Sequence, residues 1–270
     1  MSTPTAHFAL SFNPFDKQEA AKAECFHSHD YREMTGGLGA VTKARGVGLF
    51  TAPPGGGKTR ILRDFVQGLN PNLHQMSYIC LSTVSIAEFY KQLCDILGVP
   101  ARGGKPSMFK AIQEQILYLY REKRQPLMLA IDECQYLNTA ILNDLKMLMN
   151  YEYDSLNCFT LILCGETHFI STLRRPVHEA LRQRITVHYE FQGLSDEEVP
   201  DYVRHKIRSA GGSADIINEA AMAALNSMSQ HNPRIIDNTM STAMMIAMQE
   251  GKTVIDADAI LSSVNHQAFS

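Results

Sequence analysis

Short apolar runs alternate along most of this chain with longer stretches in which apolar positions recur every three or four residues. The runs VGLFTA (47–52), MSYICLS (76–82), LMLAID (127–132), FTLILC (159–164) and ITVHYEF (185–191) predict five strands. Helical period predicts helices near 59–68, 85–97, 107–124, 137–150 and 176–183. Strands buried on both faces are apolar throughout, and their alternation with helices predicts a parallel sheet covered by helices, an α/β sandwich. The run 185–191 alternates apolar with polar residues, as an edge strand does.

After Gly193 the pattern changes. LSDEEVPDYVRHKIRSAG carries Ser195 with Glu198 three residues on, a capping box, and then helical period up to a Gly-Gly stop. Further helical stretches near 215–229, 233–250 and 256–267 follow without a strand. The expected organisation is an α/β domain over 1–193, with 1–18 as an arm of little regular structure, and a small all-helical domain over 194–270.

The sharpest break in the pattern is the loop between the first strand and the helix after it. Pro53, Pro54, Gly55, Gly56 and Gly57 cannot continue either element, but they let successive backbone N–H groups turn toward an anion at the positive end of a helix. Glycine is needed because a Cβ blocks both the backbone angles and close approach to phosphate oxygens. Lys58 supplies a mobile charge for the β- and γ-phosphates of ATP, and Thr59 a hydroxyl for Mg²⁺; Pro54 and Arg60 flank this cradle. The motif's usual first glycine is Ala52 here, which keeps the position small.

A second signature matches the first. The run LMLAIDECQ ends an apolar strand on Asp132 and Glu133. Asp132 is placed to hold Mg²⁺ through water, and Glu133 to activate a water for attack, a general-base role that contributes roughly 10²–10⁴ in rate. The pair predicts an ATPase rather than a slow switch.

Composition narrows the setting. A net charge of −3 and 45% hydrophobic residues describe an ordinary globular chain, so any contact with nucleic acid must use a local patch. Six cysteines without a C-x-x-C pair argue against a zinc site or a disulfide framework and for a reducing, cytoplasmic location. No apolar run approaches the roughly 20 residues of a membrane helix, and no signal pattern opens the chain. The ten histidines show no metal spacing. REKR (121–124) reads as the charged end of a helix, and Met240, Met244, Met245 and Met248 recur at helical spacing, as core packing does.

GLFTAPPGGGKT, LAIDECQYL, LILCGE, LRQRITVHYEFQGLSDEEV and HNPRIID, in this order, resemble an AAA+ ATPase, a P-loop NTPase with a parallel five-stranded sheet sandwiched by helices and a helical lid. More narrowly, the chain is similar to the ExeA-like ATPases and to the transposon regulators TnsC, TniB and MuB. The resemblance implies that FALSFNPFD, with Phe15, lies near the adenine. It puts Glu166 at the first sensor position, with Thr167 as the alternative; an acid there repels phosphate unless it acts through water or a neighbouring base. Arg184 matches an arginine finger, with Arg182 as the alternative, and such fingers contribute roughly 10³–10⁵ in rate. Arg234 matches a second sensor on the lid. A finger acting in trans implies a homo-oligomer, a hexameric ring or a helical filament.

ARGGKPSMFKAIQEQ places Arg102, Lys105, Ser107 and Lys110 on a Gly-rich turn entering a helix, a plausible element for tracking the backbone of double-stranded DNA without reading its sequence. In the transposition ATPases this region lines the central channel, and the resemblance implies a similar use. It also implies a separate transposase and target-selection proteins as partners, since the chain carries no further acidic triad for strand transfer. The competing expectation is an ExeA-like ATPase that powers secretion or protein remodelling without DNA. The chain's length, with no appended module after the last helix, favours the compact regulator.

Overall fold

The computed structural model describes residues 3–19, 24–80 and 85–267. They divide into two compact units, one built from Glu33–Pro54 and Lys58–Phe191, the other from Met1–Arg32, Gly55–Gly57 and Gln192–Ser270. No helix among the described residues is long and apolar enough to cross a membrane.

The first unit is the α/β sandwich. Strands β1 (Val47–Thr51), β2 (Gln75–Cys80), β3 (Leu127–Asp132), β4 (Thr160–Gly165) and β5 (Ile185–Glu190) form one sheet in the order β2-β3-β4-β1-β5. All four pairings are parallel. Helices α3 (Lys58–Gln67), α4 (Ile86–Leu97), α5 (Lys105–Arg121), α6 (Thr139–Leu148), α7 (Phe169–Leu173) and α8 (Glu179–Arg182) fall between the strands. Every residue of β1, β3 and β4 is buried, as central strands require, whereas β5 alternates. β2 alternates at its end as well, with Ser77 and Ile79 buried and Tyr78 and Cys80 exposed, because it is the other edge of the sheet. The expected strand 76–82 ends at Cys80 among the described residues; Leu81 and Ser82 lie outside them.

Local signals fix the helix starts. Ser85 and Glu88 form a reciprocal capping box on α4, and Gly98 closes that helix at φ 66°. Asn138 caps α6 through the Ile141 N–H. The short α7 escaped the sequence reading, and so did the long helix α2 (His29–Ala44). It contains Gly36, Gly37 and Gly39, each costing about 1 kcal/mol of helix propensity against alanine. It forms because Met34, Leu38 and Val41 bury one stripe completely, and because Gly37 lets it close on the sheet: a Cβ there would lie 3.0 Å from Val187 and 3.1 Å from the Phe50 ring.

The second unit holds α9 (Glu198–Ser209), α10 (Glu219–Met228), α11 (Pro233–Gln249) and α12 (Ala257–Gln267). Ser195 and Glu198 make both bonds of the expected capping box. The N-terminal arm, expected to accompany the α/β domain without regular structure, instead belongs to this unit. It carries a short helix, α1 (Pro4–His7), capped by Thr3, and its Phe8, Leu10 and Phe15 pack in one core with Val203, Ile207, Ile236 and Met240. Met240 and Met244 are buried there, while Met245 is exposed.

Candidate nucleotide site

The site is assembled at the carboxyl ends of the parallel strands, where open α/β sheets bind ligands. The Ala52 N–H donates to the Gly165 carbonyl at 3.1 Å, so the residue after β1 is tied to the last residue of β4. Gly55 and Gly57 stand at φ 87° and 95°, a region that side-chain-bearing residues rarely enter, which is why glycine occupies this turn. Lys58 then opens α3, is buried, and donates from Nζ to the Ala52 carbonyl at 3.2 Å. The next residue, Thr59, donates its hydroxyl to Asp132 Oδ2 at 2.6 Å. Pro54 is exposed and Arg60 half-buried.

Asp132 is 2% exposed and fully engaged. Besides Thr59, the Tyr78 hydroxyl donates to Oδ2 at 2.9 Å, and the Glu133 N–H donates to Oδ1 at 3.0 Å. A hydroxyl and a carboxylate oxygen in contact, next to a buried lysine, form the hard-oxygen donor set that Mg²⁺ takes beside phosphates. The residues therefore fit the group the motif implies.

Glu133 has left-handed backbone angles, φ 56° and ψ 38°, and starts the short 3₁₀ turn Cys134–Tyr136. That turn brings the Gln135 amide back to Glu133, Nε2 donating to Oε2 at 2.6 Å. The same amide reaches Glu166 beyond β4, donating to Oε1 at 3.4 Å and accepting from the Glu166 N–H at 3.1 Å. His168 Nδ1 lies 3.3 Å from the other Glu166 oxygen. Glu166 thus has the Gln135 amide at one carboxylate oxygen and the His168 ring at the other. Cys134 and Cys164 are wholly buried nearby, and burial pushes both thiols far up, so neither is a nucleophile at neutral pH.

The remaining residues fall elsewhere. Arg182 donates to the carbonyls of Leu173 (3.3 Å) and Arg174 (3.1 Å), capping the end of α7. Arg184, half-buried, stands immediately before β5. Arg234 lies in the first turn of α11, which Asn232 caps through the Arg234 N–H at 3.0 Å. Within the helical unit, a Cβ on Gly55 would lie 2.5 Å from Arg234 Cβ and 2.7 Å from Asn232 Oδ1. Phe15 is 3% exposed and carries Lys206 over its ring at 5.3 Å, so the structure gives it a packing role. Arg102 is exposed in the loop before α5, Ser107 and Lys110 are exposed in its first turns, and Lys110 faces Glu114 at 3.8 Å. Lys105 is bound to Asp144 at 2.8 Å and lies over the Tyr90 ring.

Sequence reasoning missed Tyr78 and Gln135. Tyr78 was hidden inside an apolar run, and its register beside Asp132 is set by the pairing Cys80↔Asp132, which no local signal reveals. Gln135 was visible two residues after Glu133, but its reach to Glu166 depends on the adjacency of β3 and β4.

Residues 41–173 match a family model described as an AAA domain. Over 263 residues the chain is 27% identical to "General secretion pathway protein A" of Aeromonas hydrophila, covering 96% of this chain and 48% of that protein. The chain thus spans about half the length of that relative. Among solved structures it is similar to Cdc6p from Pyrobaculum aerophilum, 16% identical with a TM-score of 0.72 over 95% of this chain and 72% of that one. It is also similar to the Aeropyrum pernix ORC1 protein in complex with DNA, 14% identical with a TM-score of 0.64 over 91% and 66% of the two chains. At these identities the structural likeness is one of fold, and it is the P-loop NTPase fold. That fold, the AAA domain match and the likeness to the secretion protein together support an AAA+ ATPase.

Proposed function

We propose that this protein hydrolyses ATP at the site formed around Lys58, Thr59, Asp132 and Glu133, and that its nucleotide state governs assembly into a ring or filament on double-stranded DNA. The observation that carries the ATPase reading is the 2.6 Å contact between Thr59 and Asp132, two residues far apart in sequence, immediately beside Glu133. Lys58 would orient the β- and γ-phosphates, and Glu133 would take the proton of the attacking water. Thr59 and Asp132 would hold magnesium, whose charge screens the phosphates. Arg184, which stands immediately before β5, is the residue we assign as finger toward a neighbouring copy, with Arg182 as the alternative. Arg234 would sense nucleotide from the lid, and Phe15 would act only as buried support for its arm.

The DNA reading is supported by exposed Arg102 in the loop before α5 and Lys110 in its first turns, and by the fold shared with a protein solved in complex with DNA. Within it, the resemblance to transposon regulators makes recruitment of a transposase the output, in the cytoplasm. A second reading, an ATPase serving secretion without DNA, is favoured by the likeness to the secretion protein along nearly the whole chain. Electron microscopy with duplex DNA and a non-hydrolysable ATP analogue separates them. Assemblies that enclose DNA in wild type but not in Lys58→Ala are expected; assembly that ignores DNA would overturn the DNA reading and leave the secretion one. For the ATPase itself, Glu133→Gln is expected to bind ATP and barely turn it over.

A further inference from the structure

Among the described residues, the Gln135 side chain hydrogen-bonds both Glu133 and Glu166. Its amide orientation is fixed by its partners. The carbonyl accepts the Glu166 N–H, and the NH₂ faces two carboxylates. Turned over, the amide would set its oxygen against both carboxylates and its NH₂ against an N–H, losing every bond. The approach also depends on Gly165: a Cβ there would lie 2.5 Å from Cys134 Sγ and 3.0 Å from Gln135 Oε1. The end of β4 is therefore bare where the turn after β3 packs on it.

We infer that Gln135 is a positioning residue that holds the Glu133 carboxylate in place, and that Glu166 serves as its anchor and not as a ligand of the γ-phosphate. This rests on the reading of Glu133 as general base. Glu133, with a flexible side chain in a left-handed turn, has many rotamers available, and one 2.6 Å charge-assisted bond from a doubly anchored amide selects among them. Glu166 in turn is held by its own N–H bond to the same amide, so the carboxylate stays turned toward Gln135 and His168.

The test is steady-state ATP hydrolysis by the full chain, with fluorescent-nucleotide binding and melting temperature measured beside it. Gln135→Ala is expected to lower kcat roughly tenfold or more while KM and nucleotide affinity stay within about twofold, because the group lost acts on the base alone. Glu166→Ala should give a smaller kcat loss of the same kind. The double variant should be no slower than Gln135→Ala, since both remove one chain of contacts. Glu166→Gln, which keeps an oxygen able to accept from the amide, should restore most of the turnover that Glu166→Ala loses. Multiplicative losses in the double variant, or nucleotide affinity that changes in Glu166→Gln, would overturn the inference by showing that Glu166 acts on the nucleotide. If Glu133→Gln retains full turnover, the general-base reading itself has failed. If Glu133→Gln is inactive but Gln135→Ala is as fast as wild type, only the role of Gln135 is lost.

Discussion

The Tyr78 hydroxyl donates to Asp132 Oδ2 at 2.9 Å, onto the oxygen that also receives the Thr59 hydroxyl. Tyr78 lies on the edge strand, and its ionisation is pushed far upward by burial first and by Asp132 second, so it remains a donor throughout the working pH range. Tyr78→Phe keeps the ring and removes the bond. Because the tyrosine is 44% exposed, water replaces part of what is lost. A drop in kcat of roughly 3–10-fold with unchanged ATP affinity is expected, corresponding to about 0.7–1.4 kcal/mol. Unaltered turnover across a magnesium titration would show that Thr59 and the Glu133 N–H suffice to orient the carboxylate.

Gly165 gives a test of packing at the same site. Gly165→Ala places a methyl 2.5 Å from a fully buried sulfur. Overpacking of this kind costs about 1–3 kcal/mol, read as a lower urea midpoint. Adding Cys134→Ala removes the clashing atom, so the double variant should regain stability relative to Gly165→Ala alone. Two independent, additive losses would mean that β4 shifts instead of colliding.

How much of this was legible beforehand depends on the range over which the signal acts. The loop 53–59 and the pair Asp132, Glu133 are local patterns with their chemistry written in adjacent residues, and both converge in the fold. Central strands were readable because full burial demands continuous apolarity. The edge position of β2 was not, since Met76, Ile79 and Cys80 make MSYIC look like a buried strand while Tyr78 uses its polar tip toward Asp132. Helix α2 was hidden by its glycines, of which Gly37 serves close packing on Phe50. The arm was misplaced because its membership rests on contacts such as the Ser11 N–H to the Ala210 carbonyl, almost two hundred residues away.

In the helical unit, Lys206 donates to Asp237 at 2.6 Å and to Tyr202 at 3.1 Å, beneath the Phe15 ring. Lys206 is nearly buried, and burial raises the Asp237 carboxyl against the opposing pull of Lys206 and Tyr202. Lys206→Met leaves the Asp237 carboxylate, 23% exposed and still bonded by Tyr202, without its cation, a loss below the roughly 3–5 kcal/mol of a fully buried pair. Asp237→Leu on top of it removes the stranded charge, and chemical denaturation should show the double variant more stable than Lys206→Met. A double variant weaker than both singles would mark the pair as a net source of stability.

Alkaline pH should destabilise the protein before the buried Cys158 and Cys164 thiols ionise. Burial lifts the Cys158 thiol to about 11, against the pull of Arg121 and Arg45, from an ordinary value of 9.0. Cys164 is raised further by burial and by Asp132. Below about pH 9 these thiols keep their protons whether the chain is folded or not. Above it the unfolded chain releases them first, so stability falls with rising pH until the native thiols titrate, by up to about 1.4 kcal/mol per pH unit for each. Urea midpoints from about pH 8 to about pH 10.5 should therefore decline, and Cys158→Ala should start lower and decline less steeply. Equal slopes would assign the decline to other groups.

The cations at the start of α5 are not equivalent, and that decides how DNA binding should be tested. Lys105 is bound to Asp144 and lies over Tyr90, so replacing it also breaks an ion pair that joins α5 to α6. Lost binding in a Lys105 variant would not separate DNA contact from altered packing. Arg102 and Lys110 are exposed, the Lys110 side chain by 79%, and its pairing with Glu114 at 3.8 Å is weak. If each neutralises one phosphate, Arg102→Glu with Lys110→Glu should flatten the plot of log affinity against log salt by about 1.8, at about 0.9 per phosphate. Because backbone contacts carry no sequence information, the loss should be the same on unrelated duplexes. An unchanged slope would remove α5 from the DNA surface while leaving the ATP site as described. A loss confined to one sequence would instead make these side chains readers of base edges.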